Sequence, residues 1–382
     1  MFWDLGECAA MMLDASNAGS VHSYNGDLGL AAGSAEAIRT RFADRPWLIE
    51  MLIDEELNSV FLRYEDGAKG KKRQLRRWGA LTLAVAGIGL IGAGVELALR
   101  SLDVNGRAVD HLGGISSSLS FLATVAAIWL IWVRKTRKQW LENRFAAERL
   151  RQWHFQTLLD GPLCALAMRD VAAFKAERRL RFTRFVGGEL SQLSGTMQTW
   201  LSDPQRDEEM LHAGIGKSTG GPDPELWEAY RWLRLEHQQR HWGAKLSRDE
   251  TLAGAEALMR GAGHTCLQLA VFVMVVQVVL YAISLAMPAV SALESGSIVA
   301  SAVSLLLVVL SVVFRAMDEG LGFSREAEHY AKMSLVYIGI LGRTHGAVDA
   351  QAQAEIMQSV EQWAMTELKD FLFIHAHAKF LL

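Results

Sequence analysis

Four apolar stretches, at residues 78–99, 115–133, 266–287 and 297–314, constrain what this chain can fold into more than anything else in it. A helix rises about 1.5 Å per residue, so each stretch has the length to span a hydrocarbon core of roughly 30 Å or come close to it. In lipid the backbone must satisfy its own polar groups, which leaves helices or a closed barrel, and no stretch shows the period-two alternation of a strand. The expected fold class is all-α: a polytopic membrane protein with four transmembrane helices in two hairpins and long cytoplasmic helices.

Basic residues give the orientation. Lys69, Lys71, Lys72, Arg73, Arg76 and Arg77 precede the first stretch, and Arg134, Lys135, Arg137 and Lys138 follow the second. The loop between them holds only Arg100 and Arg107. Lys and Arg beside a span are retained on the cytoplasmic side, so this hairpin points outward with both ends inside. The second hairpin repeats the bias more weakly. Its loop, 288–296, has no Lys or Arg, while Arg260 precedes the hairpin and Arg315 and Arg325 follow it. Both termini are expected in the cytoplasm, with Trp78, Trp129 and Trp132 at the inner boundary and Tyr281 nearer the outer one.

The remainder is a charged, helical body. Hydrophobic residues make up 51% and the net charge is -3; mean hydropathy is only +0.13. About 80 residues suffice for the four spans. The ten collar residues from Lys69 to Lys138, Lys71, Lys72, Arg73, Arg76, Arg77, Arg134, Lys135, Arg137 and Lys138 among them, suit anionic lipid headgroups rather than nucleic acid. The bilayer is thus the first expected partner. Cys8, Cys164 and Cys266 are too scattered for a disulfide frame or a zinc site, as in a reducing compartment. No basic n-region followed by an apolar core stands at the N-terminus, so the first span is expected to direct insertion.

Helical spacing of Trp140, Leu141, Phe145, Leu150, Trp153, Leu158 and Leu159 continues the chain out of the second span as an amphipathic rod, stopped at Gly161-Pro162. A further helix is expected over 165–186, ended by Gly187-Gly188, and another over 225–261 leading into the third span. The last, after Gly346, carries Ile356, Val360, Trp363, Leu368 and Phe371 on one face. Ala147-Glu148-Arg149-Leu150 follows the second span at nearly the distance at which Ala327-Glu328-His329-Tyr330 follows the fourth. The expected organisation is therefore a doubled unit: an N-terminal segment 1–47, either cap or tail, a first helix-hairpin-helix repeat 48–201, a Gly- and Pro-containing linker 202–224, and a second repeat 225–382. The plainer account is that any two membrane hairpins look alike.

Leu235-Glu236, Gln239-Arg240, Trp242 and Lys245, then a polar helix, two spans and Ala327-Glu328, resemble the bacterial two-transmembrane effector family called SLATT. Tyr64, Ala68, Arg144, Ala147, Glu148, Arg149 and Leu150 carry a fainter version in the first half. The resemblance implies a homo-oligomeric effector of the bacterial inner membrane that permeabilises it in antiviral defence, triggered by a nucleotide signal or a separate sensor protein. A family member has one hairpin; this chain has two.

Several patterns carry no chemistry. Gly87, Gly89 and Gly92 match GxGxxG but lie inside a span and follow no strand. With Ala93, four residues after Gly89, they read as a smooth face for helix packing. Gly216-Lys217-Ser218 ends like a phosphate loop, yet Leu211 stands where its first glycine belongs. His375 and His377 are spaced as ligands only on a strand. No nucleophile–base set is recognisable, so no enzyme, metal or cofactor is expected.

Polar residues inside the spans are the candidate site, because an unpartnered amide or charge in hydrocarbon is costly. Gln277 stands near the middle of the third span, as glue to another helix or as the lining of an aqueous path. Glu96 and Arg100, one turn apart, form a local ion pair or a selectivity ring. Thr124 belongs to a polar half of the second span. Ser297, Ser301, Ser304 and Ser311 fall near one face of the fourth, buried or wet. The expected function is an oligomeric effector that forms or gates a pore; the alternative is a non-conducting platform that recruits cytoplasmic partners. A transporter fits less well, since no broken helix marks a midplane site.

Overall fold

The computed structural model describes residues 24–30, 33–101, 118, 135–202, 222–248, 250–286, 300–301, 303–315, 323–347 and 349–377. Every regular element among the described residues is helical, and the chain is all-α. A 3-10 turn, Tyr24–Leu28, comes first, then α1 (Ser34–Arg41) and α2 (Pro46–Leu52). Pro46 occupies the first turn of α2, where its missing N–H would have had no intrahelical acceptor. The long α3 (Glu55–Ser101) contains the first predicted span, and α4 covers 135–157. The second predicted span, Ser118 apart, lies outside the described residues, as does most of the expected linker.

After α4 come α5 (Gly161–Arg169), α6 (Val171–Phe185), a π-helical turn Val186–Leu190 and α7 (Leu193–Ser202). The rod of α4 ends at Thr157, short of the expected stop; Gly161-Pro162 instead open the next helix, which Asp160 caps by accepting from the Leu163 N–H at 3.1 Å. The single helix expected over 165–186 is two. Asp170 takes extended backbone and caps α6 through the Ala173 N–H at 3.0 Å, a strong N-cap in the middle of the apolar pattern. Gly187-Gly188 end nothing; they lie within the π turn.

The second half has α8 (Pro224–Tyr230), a π turn Arg231–Glu236, α9 (His237–Arg248), α10 (Glu250–Ala286), α11 (Val303–Arg315), α12 (Phe323–Thr344) and α13 (Ala350–His377). Among the described residues one helical stretch is long and apolar enough to cross a membrane, Arg260–Ile283 within α10. Gly87–Glu96 in α3 and α11 are apolar but shorter.

The chain divides into two compact units drawn from interleaved stretches: 1–63, 145–247 and 330–369 make one, and 64–144, 248–329 and 370–382 the other. The first is a helical body. Leu28, Ile38, Leu48, Phe61, Phe145, Phe155 and Trp200 are almost wholly excluded from water within it. Of the N-terminal segment, the 3-10 turn is built into this core: Asp27 and Leu28 are fully buried, and the Asn58 side chain donates to the Leu28 carbonyl at 3.3 Å. The second unit holds the apolar helices. At its polar end Trp140 meets the rings of Phe371 and His375 edge-on, and Glu65 pairs with Lys69 and Arg144, each at 3.3 Å.

Candidate functional site

Helix α10 is the centre of the candidate site. Its apolar stretch runs 24 residues with mean hydropathy 2.4, and 6% of its most apolar window is buried. Phe272, Val275, Val278 and Tyr281 are more than half exposed. A surface of this kind is unfavourable in water at about 25 cal/mol per Å² and is ordinary in lipid.

One face of α10 is different. Gly263 and Ala270 are buried, seven residues apart, and they meet α11 at positions also seven apart. The Ser304 hydroxyl donates to the Ala270 carbonyl at 3.4 Å. A Cβ placed on Gly263 would stand 3.7 Å from the Ser311 carbonyl oxygen and 3.6 Å from Phe314 Cβ. The two helices therefore run antiparallel, with small residues on both sides bringing the backbones close. A heptad beyond Ala270, the same face carries Gln277, half-buried among exposed valines.

The predicted residues distribute as follows. Ser304 and Ser311 are buried at the α10–α11 seam, whereas Ser301 is exposed. Gly87 is buried, and a Cβ there would come within 3.3 Å of Val313 Cγ1, so α3 also packs on α11. Gly89 is buried, Gly92 half-buried and Ala93 exposed. Glu96 is half-buried. In the basic collar Lys71, Lys72 and Arg137 are half-buried, and Arg73, Arg77, Lys135 and Lys138 are exposed, Lys138 lying 3.8 Å from Glu142. Thr124, Arg134 and the Arg76 and Arg100 side chains lie outside the described residues.

A second constellation, in the helical body, escaped the sequence reading. Arg234 donates to Glu361 through Nε at 2.9 Å and Nη2 at 3.3 Å, and the Tyr230 hydroxyl donates to the same carboxylate at 2.8 Å. Arg151 lies 3.2 Å from Glu148 and 3.3 Å from Asp27, which also accepts from the Gln238 amide at 2.7 Å and lies 4.0 Å from Arg234. At Gly26, one residue before Asp27, a side chain would require the His237 ring to move: a Cβ would stand 2.4 Å from its Cε1. Burial opposes the charge on Arg234, but Glu361, helped by Tyr337, Tyr230 and Asp27, outweighs it and holds its pKa well above the ordinary value. Burial and then Glu361 push the Tyr230 phenol well up.

Arg178 makes a third buried contact set, with the Met51 carbonyl at 2.6 Å, Asp54 at 3.1 Å and His154 Nδ1 at 3.0 Å. His154 is held well below its ordinary pKa, by burial first and by Arg178 and Arg234 second, so the ring is neutral and Nδ1 accepts. Burial, then Asp160 and Asp223, push the Cys164 thiol up to about 12, which keeps it protonated and unreactive. Among the described residues no three His, Cys, Asp or Glu side chains are grouped to hold a metal ion. His375 is turned to its own helix, Nδ1 2.8 Å from the Phe371 carbonyl.

One signal could have revealed the buried charges. Arg234 stands between Leu233 and Leu235, and Glu361 follows Val360, in the apolar phase of their helices. No protein-family model, no curated protein and no solved structure matches the chain.

Proposed function

We propose that this protein is a membrane-embedded, homo-oligomeric effector whose apolar hairpins sit in the bacterial inner membrane, both termini cytoplasmic, and whose assembly forms or gates a pore in antiviral defence. The observation that carries the reading is the 24-residue apolar stretch of α10, left almost entirely unburied by the rest of the chain. Four spans, the SLATT resemblance and a trigger from a nucleotide or a separate sensor protein belong to this proposal. The helical body is the receiving part, and no catalysis is assigned to it. Gating needs two packings close in free energy, biased by something that binds one of them better.

One observation favours a second reading, a non-conducting platform that oligomerises and recruits cytoplasmic partners. The Ser304 hydroxyl is taken up in helix contact, Ser311 is buried, and Gln277 follows Ala270 by a heptad on the same face of α10, so the polar residues of the hairpin serve packing before they serve a lumen. Ser301, nearer the start of the same stretch, is exposed. Conductance of the purified full chain across a planar bilayer separates the two. Discrete currents that Ser301→Leu or Gln277→Leu changes in size support the pore. Silence from an inserted oligomer that still captures cytoplasmic proteins supports the platform.

A further inference from the structure

The basic end of α3 contains more than a diffuse collar. Gly70, Arg73, Gln74, Arg77, Trp78 and Leu81 line a groove, and at about 100° per residue these positions share one helix face. Arg73 and Arg77 are exposed, and neither makes an ion pair or hydrogen bond among the described residues. Two other collar residues are paired: Lys69 is 3.3 Å from Glu65, and Lys138 is 3.8 Å from Glu142. Next along the groove Trp78 is 40% exposed and Leu81 52% exposed. At the other end Gly70 leaves open space, since a Cβ there would meet nothing within 4 Å.

We propose that Arg73 and Arg77 bind the phosphate of an anionic phospholipid whose upper acyl chain lies on Trp78 and Leu81. The inference rests on the membrane reading above and adds a specific ligand site to it. Two guanidinium groups one turn apart offer paired N–H donors to phosphate oxygens, which lysine does not. From Gly70 to Leu81 the face changes from open and cationic to apolar over about 16 Å, the span of a headgroup and the first methylenes. A free phosphate would satisfy the arginines equally, but the continuous apolar floor selects the lipid. Positive-inside retention by itself needs only charge, and Lys71 and Lys72 on other faces supply it.

The test uses the purified full chain in bilayer nanodiscs of phosphatidylcholine and phosphatidylglycerol, with native mass spectrometry counting each lipid retained. Arg73→Gln with Arg77→Gln is compared with a charge-matched control, Lys71→Gln with Lys135→Gln. Losing paired, charge-assisted contacts, the arginine pair is expected to lower phosphatidylglycerol preference roughly tenfold, and the control, which removes only diffuse surface charge screened by salt, less than about threefold. Arg73→Lys with Arg77→Lys, which keeps the charge, is expected to fall between. Equal losses in the glutamine pairs overturn the site, and displacement of the lipid by inorganic phosphate assigns the arginines to a soluble ligand instead. A carbonate-resistant chain without lipid preference overturns the site alone; a wild-type chain released by alkaline carbonate overturns the membrane reading with it.

Discussion

Arg234 and Glu361 are 4% and 0% exposed at their side chains, and each is satisfied mainly by the other. A buried pair of this kind returns little net stability over an apolar pair of the same shape, yet removing one member leaves a charge without compensation. Glu361→Leu is therefore expected to cost about 3–5 kcal/mol in denaturant unfolding of the helical body. Arg234→Met added to it should regain most of that loss; a double variant as unstable as the single one would refute the pairing as the cause. His154 gives a pH dependence of known sign. Its pKa in the folded chain is depressed, so below the ordinary value of 6.5 the unfolded chain binds a proton that the folded chain refuses. The contribution is intact above pH 6.5 and is lost as pH falls beneath it, at up to about 1.4 kcal/mol per pH unit. His154→Asn keeps an acceptor for Arg178, and melting temperatures compared at neutral and mildly acid pH should show a smaller acid loss than in the wild type.

At the level of elements, α11 is held on two sides by small residues: Gly263 and Ala270 of α10 on one, Gly87 of α3 on the other. Leucine at position 87 would drive its Cβ to 3.3 Å from Val313 and its remaining atoms into α11. The expected cost is about 1–3 kcal/mol, read as a lower temperature at which the detergent-solubilised chain loses monodispersity. Gly94→Leu is the control, because a Cβ there meets nothing within 4 Å, and an equal shift from both would place the effect in helix propensity rather than in packing. Apolar length made these helices legible in the sequence, and the glycines of α3 announced a smooth face. The break at Asp170 was not legible from periodicity, which passes straight through it; only the capping preference of aspartate, weighed against an apolar run, points there.

At the scale of the whole molecule, composition and hydropathy separated an apolar part from a charged helical one. They could not reveal how the stretches are shared out. Each compact unit takes three separated lengths of chain, and what gathers them in the helical body is a set of contacts between residues that no local pattern connects. Trp140, Phe145, Leu150 and Trp153 were readable as an inward face because each is apolar in the helical phase. Asp27 was not, since an aspartate in a glycine-rich segment reads as a solvated turn until Arg151 and Gln238 are seen around it. The candidate seam was half legible: the serines of α11 stood out, while Gly263 and Ala270 opposite them looked like any small residues in a span.

That position of Asp27 sets an order of events during synthesis. Gln238, which holds its carboxylate, emerges from the ribosome 211 residues later, and Glu361 follows Arg234 by another 127. The apolar lengths of α3 and α10 are therefore already translated, and need shelter from water, before the core of the helical body can close. The turn at Asp27 waits for Arg151 and Gln238, more than a hundred residues on, before its carboxylate is held.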